Sequence, residues 1–425
     1  MVALKRVGRL RIAEEAAGST TFGAELSGSI ASFRDLRYIS AEAQLDTSVL
    51  EDAAVVQRGF QRRLAIIGPR AWTMNVTLDL VGTGVPLETG TADPAYTDTA
   101  LGLLLKIVLG YEVSFPGSAE ASGAASTATA VTVTTGHGVA RWLPGMAMGI
   151  VYNGRLHARE VDLRTGDVLT PKVGFPASPT DQTIVYNSHT YAPATDPNTS
   201  AQFLLETSER DACYWLLGGQ CTSMSIDLTL GQLPRVTFTF TGPDWKQDDE
   251  VGTPVGSSAI GVATFTDGDP VPYVNNEVIF TTGSEPYTYA GSVVDPSALS
   301  LTFNWAFQPH PSPSGLNGVL RHRLIPPDNG SIVTMSMTLP IDGANMKTLQ
   351  AARDARTIYA LFIQVGNIAG KTVLISVPAL QITNVQQADA APSLHGFTVE
   401  GMSLEDQDIA YSSDLTGAHF RFHRL

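Results

Sequence analysis

The sequence predicts a mainly β protein with two similar β-sandwich domains in tandem, one helix flanking each, and a small β-barrel-like domain inserted into the first. Three observations predict this fold class. Short runs in which apolar and polar residues alternate recur along the 425-residue chain, as in strands with one buried face. The chain has 39 glycines and 25 prolines, which favour frequent turns. The predicted elements of the second half also repeat the order of those in the first.

The first half begins with two predicted strands separated by a long polar segment. Residues 30–38 partly alternate and predict a strand. Residues 40–69 are polar, contain few turn residues and are expected to form a long loop. Residues 71–81 give the clearest strand, because Trp72 and Met74 begin an apolar face that alternates with polar residues.

A short buried helix is predicted at residues 98–110, with Thr97 or Asp98 as its N-cap and Gly110 as its C-terminal stop. Period-2 alternation then predicts three more strands of the same domain, at residues 203–206, 223–230 and 235–242.

Residues 117–195 differ in composition from their surroundings and predict an inserted domain. Alanine, serine, threonine and glycine dominate at first, and several short β runs follow. Asn153-Gly154 between two such runs is a strong hairpin signal. The predicted domains are therefore 1–116 with 196–246 for the first sandwich, 117–195 for the insert, 247–272 for a linker and 273–425 for the second sandwich.

The second half shows the same order of elements: strand, long loop, strand, helix, strand, strand, strand. Its predicted members are a strand at 298–307, a proline-containing loop at 308–330, a strand at 331–340, a helix at 343–356 and strands beginning at Tyr359, Leu374 and Phe397. Chance is an alternative explanation, because β proteins reuse alternation freely. The helix and the long loop at matched places favour a tandem duplication.

The composition limits the class of function. Lysine and arginine total 27 and aspartate and glutamate total 41, which gives a net charge of −14. An acidic chain is poorly suited to holding a nucleic-acid backbone, because phosphate neutralisation needs cations. With 43% hydrophobic and 16% charged residues, the chain is expected to fold rather than to be disordered. No apolar run of about 18 residues is present, so no membrane span is expected.

Two further features indicate where the chain folds. The first ten residues contain neither an apolar segment nor a cleavage site of the secretory type. Cys213 and Cys221 are too few for a disulfide framework. They could meet across a tight hairpin, but two reduced, buried thiols are the preferred interpretation. Folding in a reducing cytoplasm is therefore expected.

Segments of both halves together resemble one known family. They are, in the second half, residues 334–340, the helix that follows, and residues 361–366, 375–383 and 394–401; in the first half, residues 100–110, 219–230 and 236–245. In pattern and order, over roughly three quarters of the chain, this arrangement resembles bacteriophage tail tube proteins. Two such domains in one chain resemble the duplicated-domain type of major tail tube protein found in long-tailed, siphovirus-like phages. The 117–195 insert departs from the simplest pattern, and we interpret it as an outward decoration or an extra contact between rings.

The resemblance implies a structural virion protein without active site, cofactor or metal. Its subunits would form trimeric, pseudo-hexameric rings stacked into a tube around a tape measure protein, with tail terminator and tail-tip proteins at the ends. The protein would be assembled in the host cytoplasm and would reside in the phage tail. DNA would pass through the tube without tight binding, which suits an acidic chain, although the net charge also has a simpler explanation in solubility.

The resemblance also implies that a long loop contacts the next ring or subunit. The candidates in the two loops are Leu45, Asp46, Leu50, Glu51, Asp52, Arg58, Phe60, Arg62, Arg63, Arg321, His322 and Arg323. Acidic residues 46–52 and basic residues 58–63 predict complementary charge across a repeated interface, or a self-contained hairpin with internal pairs. The apolar residues of the first loop bind a neighbour or pack on their own domain, and the sequence favours neither. Residues 321–323 meet an acidic surface or are simply solvated, and solvation is favoured.

The search for catalytic or metal motifs yields no strong candidate. The nucleophile-elbow, P-loop, zinc-protease and Cys-x-x-Cys patterns are absent. His419 and His423 have a spacing found in metal sites, but alternating aromatics around Arg421 favour a terminal strand. Two alternatives to a tube subunit remain: a distal or tail-tip ring protein with the same sandwich, and a carbohydrate-binding β-sandwich protein.

Overall fold

The computed structural model describes most of the chain. The described residues are 2–4, 7–15, 33–50, 66–84, 99–113, 120–121, 125–133, 142–180, 183–194, 200–207, 213–247, 269–273, 277–281, 288–289, 292–293, 296–304, 306–316, 319–325, 333–340, 343–391, 394–405, 415 and 418–425.

Strands dominate these residues, so the predicted mainly β fold class is confirmed. In the first half and the insert the strands are β1 (Val2–Leu4), β2 (Val7–Glu14), β3 (Arg34–Asp35), β4 (Tyr38–Leu50), β5 (Ile66–Asp79), β6 (Gly110–Val113), β7 (Glu120–Ala121), β8 (Val131–Thr132), β9 (Ala147–Tyr152), β10 (Arg155–Thr165), β11 (Val168–Pro171), β12 (Ile184–Tyr186), β13 (His189–Pro193), β14 (Ala201–Thr207), β15 (Cys213–Thr229), β16 (Arg235–Gly242) and β17 (Asp244–Gln247). In the second half they are β18 (Glu277–Thr281), β19 (Thr288–Tyr289), β20 (Ser292–Val293), β21 (Ala298–Asn304), β22 (Ala306–Leu316), β23 (Val319–Ile325), β24 (Val333–Pro340), β25 (Ile358–Val365), β26 (Val373–Ala391), β27 (Leu394–Ser403) and β28 (Arg421–Arg424).

One helix lies in each half of the described chain, α1 (Ala100–Leu109) and α2 (Gly343–Asp354). The N-cap of α1 is Thr99, whose Oγ1 accepts from Gly102 N, so the predicted cap at Thr97 or Asp98 is wrong by one or two residues. Gly110 ends α1 in the left-handed conformation (φ 85°), which confirms the predicted stop. Neither helix is long and apolar enough for a bilayer-spanning segment in the part of the chain that the structure describes.

A single antiparallel sheet of eight strands runs through both halves in the order β4-β5-β16-β15-β21-β24-β27-β26. The two halves meet at its centre, where β15 pairs with β21 over Ser223↔Asn304 to Thr229↔Ala298. The sheet therefore joins the two repeats through backbone hydrogen bonds, in addition to side-chain packing.

The two halves have the same strand pairing. In the first half the sequence of paired strands is β2-β14-β15-β16-β5-β4. In the second half it is β18-β25-β26-β27-β24-β21. Strands β4, β5, β15 and β16 thus correspond to β21, β24, β26 and β27. This common topology is what a tandem duplication produces, while the exact domain boundaries stay a prediction.

A second layer covers the apolar face of the eight-stranded sheet. It contains α1 and the strands at the other ends of β15 and β26, including β2, β14, β18 and β25. One buried core cluster extends through both halves. Trp72 is a central member, and its Nε1 donates to Leu217 O at 3.0 Å. A Cβ on Gly242 would lie 2.3 Å from the Trp72 ring, so this position requires glycine.

Most of the insert forms a separate six-stranded sheet in the order β7-β12-β9-β10-β11-β8. The Asn153-Gly154 turn between β9 and β10 has positive φ at both residues, which confirms the predicted tight hairpin. The sheet docks on the second half, where Gln364 accepts from Ala158 N at 2.8 Å and donates to Leu156 O at 2.7 Å. The last strand of the predicted insert, β13, instead pairs with β6 on one side and with β28 on the other, and β28 pairs with the start of β26.

Both predicted long loops contain strands, so the first loop prediction is wrong at its two ends and the second is wrong over most of its length. Strand β4 continues to Leu50 and β5 begins at Ile66, paired with it. Small alanines occupy buried positions of β4. Because no large apolar side chains mark these positions, the alternation of the segment does not stand out in the sequence. Strands β22 and β23 also form a hairpin, from Ala306↔Ile325 to Leu316↔Val319. Its prolines stand at every second position, which leaves the intervening N–H groups available for pairing.

Candidate functional site: a polar sheet face and its two edges

The eight-stranded sheet has one face made almost wholly of hydroxyl, amide and carboxylate side chains. Cross-strand partners share a face, so the register identifies its members. One row crosses all eight strands through Ser40, Thr77, Thr237, Ser225, Thr302, Thr334, Met402 and Gln381. The next row contains Asp79, Arg235, Asp227, Ser300, Ser336, Glu400 and Asn384. These side chains are exposed or half-buried.

The opposite face of the same strands is buried. Its corresponding row is Ala41, Val76, Phe238, Met224, Phe303 and Val333, all with 6% exposure or less. The sheet is therefore amphipathic, with a period of two in every strand and an open polar surface that spans both repeats.

Cations are scarce on the polar face. Within its two rows, Arg235 is the single cationic side chain, and its cross-strand partners are Asp79 and Asp227. Neutral hydroxyls dominate the rest, as in the 3.0 Å contact between Thr77 Oγ1 and Thr237 Oγ1. Because phosphate binding depends on lysine and arginine, this surface offers little to hold a nucleic-acid backbone.

The two ends of the sheet are strand edges. One end is β26, whose residues 382–391 pair with β27 on one side and with no described strand on the other. The other end is β4, whose outer edge is covered by β1 over Ala43–Leu45 alone, among the described strands. Unpaired N–H and C=O groups along such edges are ready to pair with another chain.

The internal repeat shows what these edges correspond to. The pairing of β15 with β16 has an irregularity between Cys221 and Ser223, and the pairing of β26 with β27 has one between Ile382 and Asn384. When these irregularities are aligned, residues 384–390 of β26 correspond to residues 223–229 of β15, and the neighbouring pairings make residues 40–46 of β4 correspond to residues 298–304 of β21. Segments 223–229 and 298–304 pair with each other at the centre of the sheet. The two outer edges are thus the counterparts of two strands that already pair.

The predicted contact residues fall in different surroundings. Leu45 is buried (2% exposed) and packs in its own core, whereas Asp46 is exposed and its carbonyl accepts from Trp245 Nε1. Leu50 ends β4, and Arg321, His322 and Arg323 lie in β23 opposite residues 308–310. Glu51, Asp52, Arg58, Phe60, Arg62 and Arg63 lie outside the described residues. Whether these residues form an interface stays a prediction.

The sequence does not identify the edge of β26 or the pairing of β1 with β4. The signal for the polar face was present, since serine and threonine alternate with apolar residues in β5, β15, β16, β21 and β24. An edge, in contrast, is a strand that lacks a neighbour on one side, and a local sequence pattern does not show which strands are neighbours.

A buried ionic cluster at the C-terminal strand joins the insert to the second half. Arg421 Nη1 donates to Glu160 Oε1 at 2.7 Å, and both side chains are 0% exposed. Ser376 Oγ donates to Glu160 Oε2 at 2.5 Å, and His423 Nδ1 contacts Thr190 Oγ1 at 2.9 Å. Strand β28 therefore lies between β26 and β13 and carries the contact to β10 of the insert.

The electrostatics of this cluster favour an ionised Glu160. Burial by itself raises the pKa of Glu160, but the Arg421 charge and a hydrogen bond with His423 outweigh it and lower the pKa to about 2. Burial lowers the pKa of His423, which outweighs the opposite effect of Glu160. The cluster is thus a carboxylate–guanidinium pair beside a neutral imidazole.

Serine, histidine and glutamate in contact invite comparison with a hydrolytic triad, but the order of contacts differs. His423 Nε2 faces both Ser376 Oγ (3.3 Å) and Glu160 Oε2 (3.6 Å), while Nδ1 faces Thr190. A triad requires the carboxylate on the ring nitrogen away from the serine. All these side chains are inaccessible to solvent, so this cluster holds strands together.

The described residues contain no group of three or more His, Cys, Asp or Glu side chains placed to hold a metal ion. No protein-family model matches the chain, and no curated protein matches it.

Proposed function

We propose that this protein is the structural subunit of a long phage tail tube, which self-assembles edge to edge into rings that stack around a DNA channel. The single observation that carries the proposal is the β15–β21 joint. Inside one chain, this joint links two equivalent four-stranded units. At the outer edges of the sheet, β26 is the counterpart of β15, and β4 is the counterpart of β21.

The joint can be repeated between chains. The edge of β26 in one copy would pair with the β4 edge of the next, as β15 pairs with β21 within the chain. Such an interface is heterologous, because two different surfaces meet, and it closes into a ring if the rotation is right. Three chains would supply six equivalent units, which agrees with the trimeric, pseudo-hexameric ring that the resemblance implies.

The polar face would then line the channel. In a closed ring the apolar face remains covered by the second layer, so the open face is the one that points inward. Hydroxyls and carboxylates on this face would let DNA pass without retaining it. The β4–β5 and β22–β23 hairpins would contact the adjacent ring. A tape measure protein inside and terminator and tip proteins at the ends complete the proposed assembly within the virion.

A register-specific cross-link tests the pairing. Thr302 and Ser225 are cross-strand partners in the central joint, and their counterparts at the edges are Gln44 and Gln386, both exposed. The variant Gln44→Cys/Gln386→Cys should form disulfides between chains under mild oxidation, because paired positions bring Cβ atoms within bonding reach. Non-reducing gels should show covalent products up to the trimer.

The matched control shifts one cysteine by one residue, Gln44→Cys/Gln387→Cys, which moves it to the other face of β26. This control should remain uncross-linked. Equal cross-linking of both variants, or of neither, would contradict the pairing.

Electron microscopy of the purified wild-type protein tests the function itself. Stacked tubes with a central channel are expected. Isolated single rings would favour the distal ring protein instead, and monomers that bind glycans would refute both assemblies.

A further inference from the structure

Strand β1 occupies the place that the proposed assembly reserves for a second chain. Val2, Ala3 and Leu4 pair with Leu45, Gln44 and Ala43 on the outer edge of β4. That edge is the counterpart of the edge of β21 that pairs with β15. The chain thus covers part of its own candidate interface.

Strand β1 resembles β15, the strand that covers the corresponding edge of β21, in its direction and its residue pattern. The counterparts of Leu45, Gln44 and Ala43 in β21 pair with Met224, Ser225 and Ile226 of β15. Both triplets are antiparallel to the strand they cover, and both read apolar, small, apolar. Strand β1 therefore stands where β15 stands in the intact joint, with the same direction and the same alternation.

We propose that β1 is a placeholder strand: it caps the β4 edge of the unassembled chain and is displaced by β26 of a second copy when the ring forms. The inference rests on the proposed function, because it assigns the same edge to the same partner. A bare edge of this kind invites non-specific pairing, so a temporary cap protects it.

The lengths of the two strands explain the direction of the exchange. Among the described residues, strand β1 forms three residue pairs with β4, whereas the central joint that serves as the template has seven. The longer strand gains more backbone hydrogen bonds than the shorter one loses. The cap therefore slows assembly without preventing it.

A reversible lock tests the exchange. Ala3 and Gln44 are cross-strand partners, so Ala3→Cys/Gln44→Cys should close a disulfide that holds β1 on the edge. The native Cys213 and Cys221 are buried and should not interfere. The oxidised variant should stay monomeric at concentrations where the wild type assembles, and a reductant should restore assembly.

The matched control places the same lock inside the sheet. Thr77→Cys/Thr237→Cys joins two paired residues of the same polar face, away from both edges. Its oxidised form should assemble like the wild type. A third variant that lacks residues 1–6 should assemble at a critical concentration about thirtyfold lower, the factor for two backbone hydrogen bonds of ordinary net strength.

The outcomes separate the two proposals. If the oxidised Ala3→Cys/Gln44→Cys chain assembles as readily as its reduced form, the placeholder role is refuted while the tube function stands. The same holds if the shortened chain assembles no more readily than the wild type. If the wild type and every variant remain monomeric, the tube function and the placeholder role both fail.

Discussion

Removing the positive partner of the buried ion pair should be strongly destabilising. In Arg421→Met, the Glu160 carboxylate would lose the 2.7 Å donor whose charge, together with the His423 hydrogen bond and the Lys172 charge, lowers its pKa to about 2 against the effect of burial. The net shift from 4.5 is worth roughly 3 kcal/mol at about 1.4 kcal/mol per pKa unit, and Arg421 is the largest favourable contribution to it. Loss of one member of a buried pair typically costs ~3–5 kcal/mol, because the other charge is left without compensation. We therefore expect the free energy of unfolding to fall by about 3 kcal/mol.

The assay is denaturant unfolding followed by tryptophan fluorescence, with the double variant Glu160→Gln/Arg421→Met completing a thermodynamic cycle. The double variant should lose less than the sum of the two single losses, because the residues interact directly. Arg353→Met is the matched control, since its pair with Asp354 is solvent-exposed (35% and 68%) and should contribute at most about 1 kcal/mol. A loss below about 1 kcal/mol in Arg421→Met would show that water reaches the cluster and would refute the reasoning.

Three further predictions concern stability and reactivity. Glu277 accepts from Arg159 Nη2 at 2.6 Å, and hydrogen bonds and charge from His157 and Arg159 outweigh burial and lower its pKa to about 2, as the pKa of Glu160 is lowered. The stabilising contribution of both carboxylates is therefore complete above pH 4.5 and is lost as the pH falls toward 2; the melting temperature should fall across that window, and a flat profile would contradict it. Gly242→Ala should lower the free energy of unfolding by ~1–3 kcal/mol, because its Cβ would overlap the Trp72 ring; an unchanged midpoint in urea would be inconsistent with this packing. Neither cysteine forms a disulfide and both are buried, so Ellman's reagent should label neither in the native protein and both in denaturant; rapid native labelling would disprove their burial.

Much of the fold can be predicted from the local alternation of apolar and polar residues in the sequence. Strand β5 could be predicted because large apolar side chains mark its buried face, as Trp72 and Met74 do. Helix α1 could be predicted because Gly110 supplies a residue that ends a helix in the left-handed conformation. Strand β4 could not, because its buried face is built largely of alanines, which do not stand out from polar neighbours.

The candidate site was only partly accessible to the same reasoning. Charge and loop length predict Leu45 as an interface residue, yet it belongs to the core of its own sheet. The open edge of β26, and the edge of β4 that β1 covers, depend on pairings between residues far apart in the chain. Local composition contains no information on which distant strand lies beside a given edge.

The sequence by itself determined the mainly β class, the repeated order of elements and the C-terminal end of α1, because each depends on neighbouring residues. Only the tertiary structure decided that the two repeats share one eight-stranded sheet, that β28 binds the insert to the second half through Arg421 and Glu160, and that, among the described strands, the sheet ends at the edges of β4 and β26. The physical reason is that backbone hydrogen bonds between strands are nearly independent of side-chain identity. Alternation therefore specifies which face of a strand is buried, and only packing of the whole chain specifies its neighbours.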